Sequence, residues 1–291
     1  MLKEKKEKII FIGVAVLSAI LILCTAFIGT QKYYPVEVEQ EKTQILFLGD
    51  SNIAYDFGGQ DIPELVYDRM GVTTYNAAIG GTSAAKINTM NYFDDRDDMF
   101  CLYNLIKVME SGDYNAVADY YGSGTQREKE AVGKMQMLTD LRLDEIDYIV
   151  IAYGLNDYTT GRTIYAEDPY AEHTYTGALR LAIEKLQKMC PNATIILSSI
   201  TYCVFTEGGE VVSDGYERTW GGGTIEEYRD AMEFVASEYD NVYFVDNLEY
   251  MNISKDNFKQ YLRDGMHFND VGRELFVDHL EETINGIEGK L

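Results

Sequence analysis

The sequence predicts an α/β fold, a parallel sheet covered by helices on both faces. Three observations point to it. Short runs dense in Ile, Val, Leu and Phe recur without strict polar alternation, as in strands buried on both sides. Segments with helical periodicity lie between them, so strands and helices alternate along the chain. No internal repeat is visible, and about 250 residues suit one such domain.

Strands are predicted at Gln44–Leu48, Thr73–Ile79, Tyr148–Tyr153, Ala193–Ile200 and Val242–Asp246, which makes a central parallel five-stranded sheet. Helices are predicted at Pro63–Met70, Phe100–Glu110, Gln126–Leu141, Thr176–Met189, Ile225–Glu238 and Asn269–Ile287. Pro63 suits a first helical turn, because its missing N–H has no partner to lose there. Gly71 suits a stop after Met70. Asn269 or Asp270 can cap the last helix.

The N-terminus carries a separate instruction. Lys3, Lys5, Lys6 and Lys8 precede an apolar run from Ile9 to Ile28 that only Ser18 and Thr25 interrupt. At about 1.5 Å per residue that run spans roughly 30 Å, one bilayer core. The preceding lysines orient the N-terminus to the cytoplasm and the rest of the chain outside. The competing reading is a cleaved signal peptide, whose apolar core is usually about 7–15 residues. The greater length here favours an uncleaved anchor. A lipoprotein reading at Cys24 is poor, because Leu23 sits where a small residue belongs. The organisation expected is a basic segment at 1–8, a transmembrane anchor at 9–28, a linker at 29–43 and a single folded α/β domain at 44–291.

The 291 residues hold 25 Lys+Arg against 48 Asp+Glu, a formal charge of -23. Such a field repels phosphate backbones, and no basic patch follows the first eight residues, so nucleic acid is excluded as a partner. An apolar share of 46% excludes disorder as the main state. Cys101, Cys190 and Cys203 are too few and too irregular for a disulfide framework or a zinc site. A single Cys190–Cys203 bridge and three buried thiols both remain open.

In open parallel sheets, ligands bind beyond the carboxyl ends of the strands. Polar clusters fall at those places: Gly49-Asp50-Ser51-Asn52, Gly80-Gly81-Thr82-Ser83, Gly154-Leu155-Asn156-Asp157 and, before the last helix, Asp264-Gly265-Met266-His267. Ser51 can project a hydroxyl into the cleft, but a serine needs a base to become a nucleophile. Only His173, His267 and His279 are available. His279 lies within the last helix and reads as surface or packing, while His173 sits in a loop without a visible partner. His267 has Asp264 three residues earlier, a spacing that can set the imidazole tautomer and steady the imidazolium. The backbone N–H groups of Ser51 and Gly81 and the Asn156 amide are candidate oxyanion donors. Each cluster alone also reads as an ordinary turn or cap.

Taken in order, Gly49-Asp50-Ser51, Asn76 with Gly81, Gly154-x-Asn156-Asp157 and Asp264-x-x-His267 resemble the SGNH/GDSL hydrolase family. The resemblance covers roughly Gln44 to Ile287. It implies a flavodoxin-like three-layer α/β/α sandwich that needs no metal or organic cofactor. It implies Ser51 as nucleophile, His267 as base oriented by Asp264, and Ser51, Gly81 and Asn156 as the oxyanion hole. Gly81 is preferred to Gly80 because it lies five residues after Asn76, as in the family motif. Many members carry a Gly shortly after the serine, where this chain has Asn52-Ile53-Ala54-Tyr55. Two insertions, Asn88–Gly124 and Thr201–Gly223, could roof the cleft and set substrate choice. Tyr153, Tyr158, Tyr165, Tyr170 and Tyr175 could stack on sugar rings or pack in loop cores.

The expected function is a serine esterase outside the membrane, removing small acyl groups, O-acetyl first among them, from a cell-surface carbohydrate. A lipase or lysophospholipase, or an O-acyltransferase, would use the same residues. A silent glycan-binding surface domain is the rival of another class.

Overall fold

The computed structural model describes residues 42–86, 100–114 and 126–290. The chain divides into units 1–41 and 42–291, and all described residues belong to the second. The expected anchor at 9–28 and the linker up to residue 41 lie outside the described residues, as does much of the first insertion. Among the described residues, no helix is long and apolar enough to cross a membrane.

Five parallel strands form the central sheet: β1 (Gln44–Gly49), β2 (Thr73–Asn76), β3 (Tyr148–Ala152), β4 (Thr194–Ser198) and β7 (Val242–Val245), in the order β2-β1-β3-β4-β7. Residues Ile45 to Leu48, Ile149 to Ile151 and Ile195 to Leu197 are all buried, whichever face they point to. Covering on both faces explains why these strands lack alternation. The cover comes from helices α2 (Ile62–Met70), α3 (Leu102–Ser111), α6 (Tyr175–Met189), α7 (Ile225–Ala236) and α10 (Asp270–Ile287). Helix α2 packs on α10, while α3 packs on α6 and α6 on α7. Strand β7 touches both α7 and α10. This arrangement fits a three-layer α/β/α fold.

The ends of these elements follow local chemistry. Asp61 caps α2 in a capping box with Glu64, and Gly71 closes it with φ 68. Asn269 caps α10 by accepting from the Gly272 N–H. Strand β2 stops three residues earlier than predicted, because the Asn76 Oδ1 accepts the Ala78 N–H and turns the chain. The same side chain donates to the Asp61 carboxylate at 2.9 Å and the Ile53 carbonyl at 3.2 Å.

The second insertion contains an unpredicted antiparallel hairpin, β5 (Val204–Glu207) and β6 (Glu210–Asp214). Its turn is Gly208-Gly209, at φ 60 and 90, the left-handed pair that a two-residue hairpin turn demands. That Gly-Gly signal was legible in the sequence. Among the described residues no disulfide forms: Cys101, Cys190 and Cys203 are buried thiols, so the Cys190–Cys203 bridge is not made. Burial pushes the Cys190 and Cys203 thiols up to about 12.

Candidate active site

With strand order β2-β1-β3, the chain leaves β1 and β3 toward opposite sides of the sheet, which opens a crevice at their carboxyl ends. Ser51 begins the short helix α1 (Ser51–Ala54) directly after β1, and Asn156 lies in α5 (Leu155–Thr159) directly after β3. Topology alone thus brings two of the candidate residues to one place.

The candidate base arrives from more than two hundred residues further along the chain. His267 Nε2 lies 3.0 Å from Ser51 Oγ, although 216 residues separate them. On its other side, His267 Nδ1 lies 2.8 Å from Asp264 Oδ2. The other Asp264 oxygen accepts the backbone N–H groups of Met266 (3.1 Å) and His267 (2.9 Å). Partial burial works to raise the Asp264 pKa, but those donors and the imidazole outweigh it and hold the carboxyl below its usual range. Asp264 is therefore a carboxylate near neutral pH, and an imidazole between it and a hydroxyl can take the hydroxyl proton.

Further bonds fasten the clusters to one another. The Ile79 N–H donates to the Gly49 carbonyl at 3.0 Å, laying the Gly80-Gly81 turn beside the residues that lead into Ser51. A side chain at Gly80 would collide with the Tyr55 ring, whereas Gly81 is exposed and has φ 71. Each glycine is thus needed, one for space and one for backbone conformation. The Asn156 amide points toward the Ser51 turn, its Nδ2 3.4 Å from Asp50 Oδ2.

Asp50 and Asp157 show what motif reading left unassigned. Asp50 is buried, and its Oδ1 accepts the Asn52 N–H at 3.0 Å. Burial pushes its carboxyl up to about 6. Asp157 is fully buried and accepts the N–H groups of Ala84 (2.8 Å) and Ala85 (3.0 Å), so it ties the segment after Gly81 to α5. Burial pushes Asp157 to about 6 as well. A cavity of about 20 Å³ beside the Ser51 turn, lined by Asp50, Asn52, Ser199 and Thr201 among others, has room for about one water.

An aromatic ring borders His267. The Phe57 ring stands 5.1 Å from the imidazole, centroid to centroid, and the Arg263 guanidinium lies over that same Phe57 ring at 4.4 Å. Phe57 holds φ 49, a strained value for a side chain of its size. From the second insertion, the Val204 N–H donates to the Gly265 carbonyl at 2.8 Å, so the hairpin rests on the Asp264–His267 loop. In the same insertion Arg218 stacks on Trp220 at 4.1 Å, and Trp220 is partly exposed.

The remaining candidates have structural places. His279 stacks on Tyr250 with centroids 3.8 Å apart and bonds Asn247. His173 lies in the loop around Ala166 to Glu172. Tyr153, Tyr158 and Tyr175 are buried in the core, whereas Tyr165 and Tyr170 are exposed.

A sequence profile of the GDSL-like Lipase/Acylhydrolase family matches residues 109–275, more than half of the chain. This chain belongs to that family. It is accordingly a carboxylic ester hydrolase of the GDSL type. The matched span includes Asn156, Asp264 and His267, while Ser51 and Gly81 precede it. No curated protein matches the sequence. Among solved structures, a protein from Lactobacillus plantarum is similar at 15% identity and TM-score 0.56, covering 84% of this chain and 98% of its own. A possible lipase from Chitinophaga pinensis DSM 2588 matches at 15% identity and TM-score 0.53, with the same coverage of 84% and 98%. The salicylyl-acyltransferase SsfX3 from a tetracycline biosynthetic pathway matches at 14% identity and TM-score 0.51, covering 86% of this chain and 56% of its own. At these identities the likeness concerns the fold.

Proposed function

We propose that this chain is a serine esterase that removes small acyl groups, O-acetyl first among them, from a carbohydrate outside the cell membrane. The observation that carries the catalytic part is the Ser51–His267–Asp264 chain of contacts, 3.0 Å and 2.8 Å long. Ser51 Oγ attacks the acyl carbonyl while His267 Nε2 takes its proton. The carbonyl oxygen becomes an oxyanion facing the N–H groups of Ser51 and Gly81 and the Asn156 amide, each such donor contributing about 2.7–4 kcal/mol. His267 then gives the proton to the departing sugar oxygen, which leaves Ser51 acylated. A water, deprotonated by His267, attacks the acyl-enzyme and releases the carboxylic acid and free Ser51. Asp264 stabilises the imidazolium in both halves of the cycle.

The carbohydrate is supported by two aromatic rings, Phe57 beside His267 and, in the second insertion, the exposed Trp220. The location rests on the lysine-flanked apolar run at 9–28. An acyltransferase would use the same first half-cycle, with a sugar hydroxyl replacing water. A lipase would differ in the acyl chain accepted, and a silent glycan-binding domain would turn over no ester. Fluorophosphonate labelling of the folded protein, lost in Ser51→Ala, tests the nucleophile; an unlabelled wild type would overturn it. Comparison of acetyl with long-chain esters, followed by product analysis with a sugar acceptor, separates the three reactions.

A further inference from the structure

The residue after the candidate nucleophile is bonded to the backbone on both sides of the candidate base. Asn52 is buried, and its Oδ1 accepts the Phe268 N–H at 3.0 Å. Its Nδ2 donates to the Met266 carbonyl at 3.4 Å. These two backbone groups flank His267. A strand residue in a parallel ladder meets its partner in the same way, bonding the carbonyl before it and the N–H after it. Here a side-chain amide supplies both bonds, across more than two hundred residues of chain.

We infer that Asn52 is a positioning residue, a clamp that registers the His267 backbone to the Ser51 turn. The inference rests on the reading of Ser51 and His267 as nucleophile and base. The Asp264 carboxylate shapes the His267 loop from within, through the Met266 and His267 N–H groups. It does not fix that loop relative to Ser51. Asn52 does, because it sits in the same helical turn as Ser51 and bonds outward to the loop. The clamp needs a donor and an acceptor on one planar group, which an amide has. Leucine offers neither and leaves the Phe268 N–H buried without an acceptor. Aspartate keeps the acceptor but sets a carboxylate oxygen against the Met266 carbonyl. Misplacement of reacting groups by about 1 Å can cost on the order of 100-fold in rate.

The test uses Asn52→Leu and Asn52→Asp in the full chain, with two readouts. Turnover of an activated acetyl ester should show kcat falling about 10- to 100-fold in Asn52→Leu with KM within about threefold, the mark of lost alignment. Amide hydrogen exchange should show Phe268 exchanging at least about tenfold faster in Asn52→Leu, with the α10 amides unchanged, and still protected in Asn52→Asp. Unchanged Phe268 exchange in Asn52→Leu would overturn the clamp, even if the wild type had no esterase activity. A wild type that neither labels nor hydrolyses would instead overturn the reading of Ser51, and the exchange result would stand apart from it. Should Asn52→Leu fail to fold, Asn52→Asp decides: protected Phe268 with kcat/KM reduced at least about tenfold supports the clamp, and wild-type kcat/KM overturns it.

Discussion

Ser51 and His267 meet at 3.0 Å although they come from opposite ends of the described chain. In the proposed mechanism that contact works only while Asp264 holds the imidazole by its far nitrogen, 2.8 Å away. Replacing Asp264 with Asn should lower kcat on an activated acetyl ester by about 10²–10⁴-fold. The circular dichroism spectrum should not change. Steady-state kinetics on Asp264→Asn beside the wild type checks this, and full activity would remove Asp264 from the mechanism.

Asp50 should leave a signature in the pH dependence of stability. Folded Asp50 keeps its proton to about 6, whereas an ordinary aspartate releases it near 3.8. Between those values the folded state binds more protons, so the Asp50 contribution is complete below about pH 4 and lost as pH rises through about 6. Asp50→Asn should therefore gain stability relative to wild type on going from pH 4 to pH 7.5, by on the order of 1–3 kcal/mol. Urea denaturation at the two pH values measures the difference, and an equal effect at both would contradict the burial argument.

Asp157 satisfies two buried N–H groups at once. Asp157→Ala should destabilise the protein by roughly 2–4 kcal/mol, since each orphaned donor costs about 1–3 kcal/mol. It should also loosen the segment around Ala84 and Ala85, which limited proteolysis would report.

Gly265 stands between the candidate acid and base at φ 93, and an added Cβ would lie 2.8 Å from the Val204 carbonyl oxygen. Gly265→Ala should cost about 1–3 kcal/mol through backbone strain. Activity should fall by more than stability does, because the distortion falls on the Asp264–His267 loop. Thermal melting alongside kcat separates the two effects.

Cys101, Cys190 and Cys203 should be unreactive toward a thiol reagent in the native state and all three reactive in denaturant. A reducing agent should leave the melting temperature of residues 42–291 unchanged, because no bridge joins these thiols.

The strand cores were legible because both-face burial leaves a plain record, unbroken runs such as Ile149-Val150-Ile151. Their ends were not, because ends are set by single side-chain bonds, as where Asn76 turns β2 away three residues early. The meeting of Ser51, Asp264 and His267 was legible because a hydroxyl, an imidazole and a carboxylate make a relay that few residues of this chain can supply. Asn52 carries no such signal in one dimension. An asparagine after a serine reads as part of a turn, and its meaning depends on a loop that arrives more than two hundred residues later. Asp157 has a motif place in the sequence but no assigned task for the same reason, since its partners at Ala84 and Ala85 come from another loop.

The capping of α10 by Asn269, two residues after the imidazole, has a consequence in time. During synthesis the hydroxyl of Ser51 emerges early, and the base proposed for it follows 216 residues later, just ahead of the helix that Asn269 caps. A chain that stopped short of His267 would keep the Ser51 hydroxyl and lack the base proposed for it.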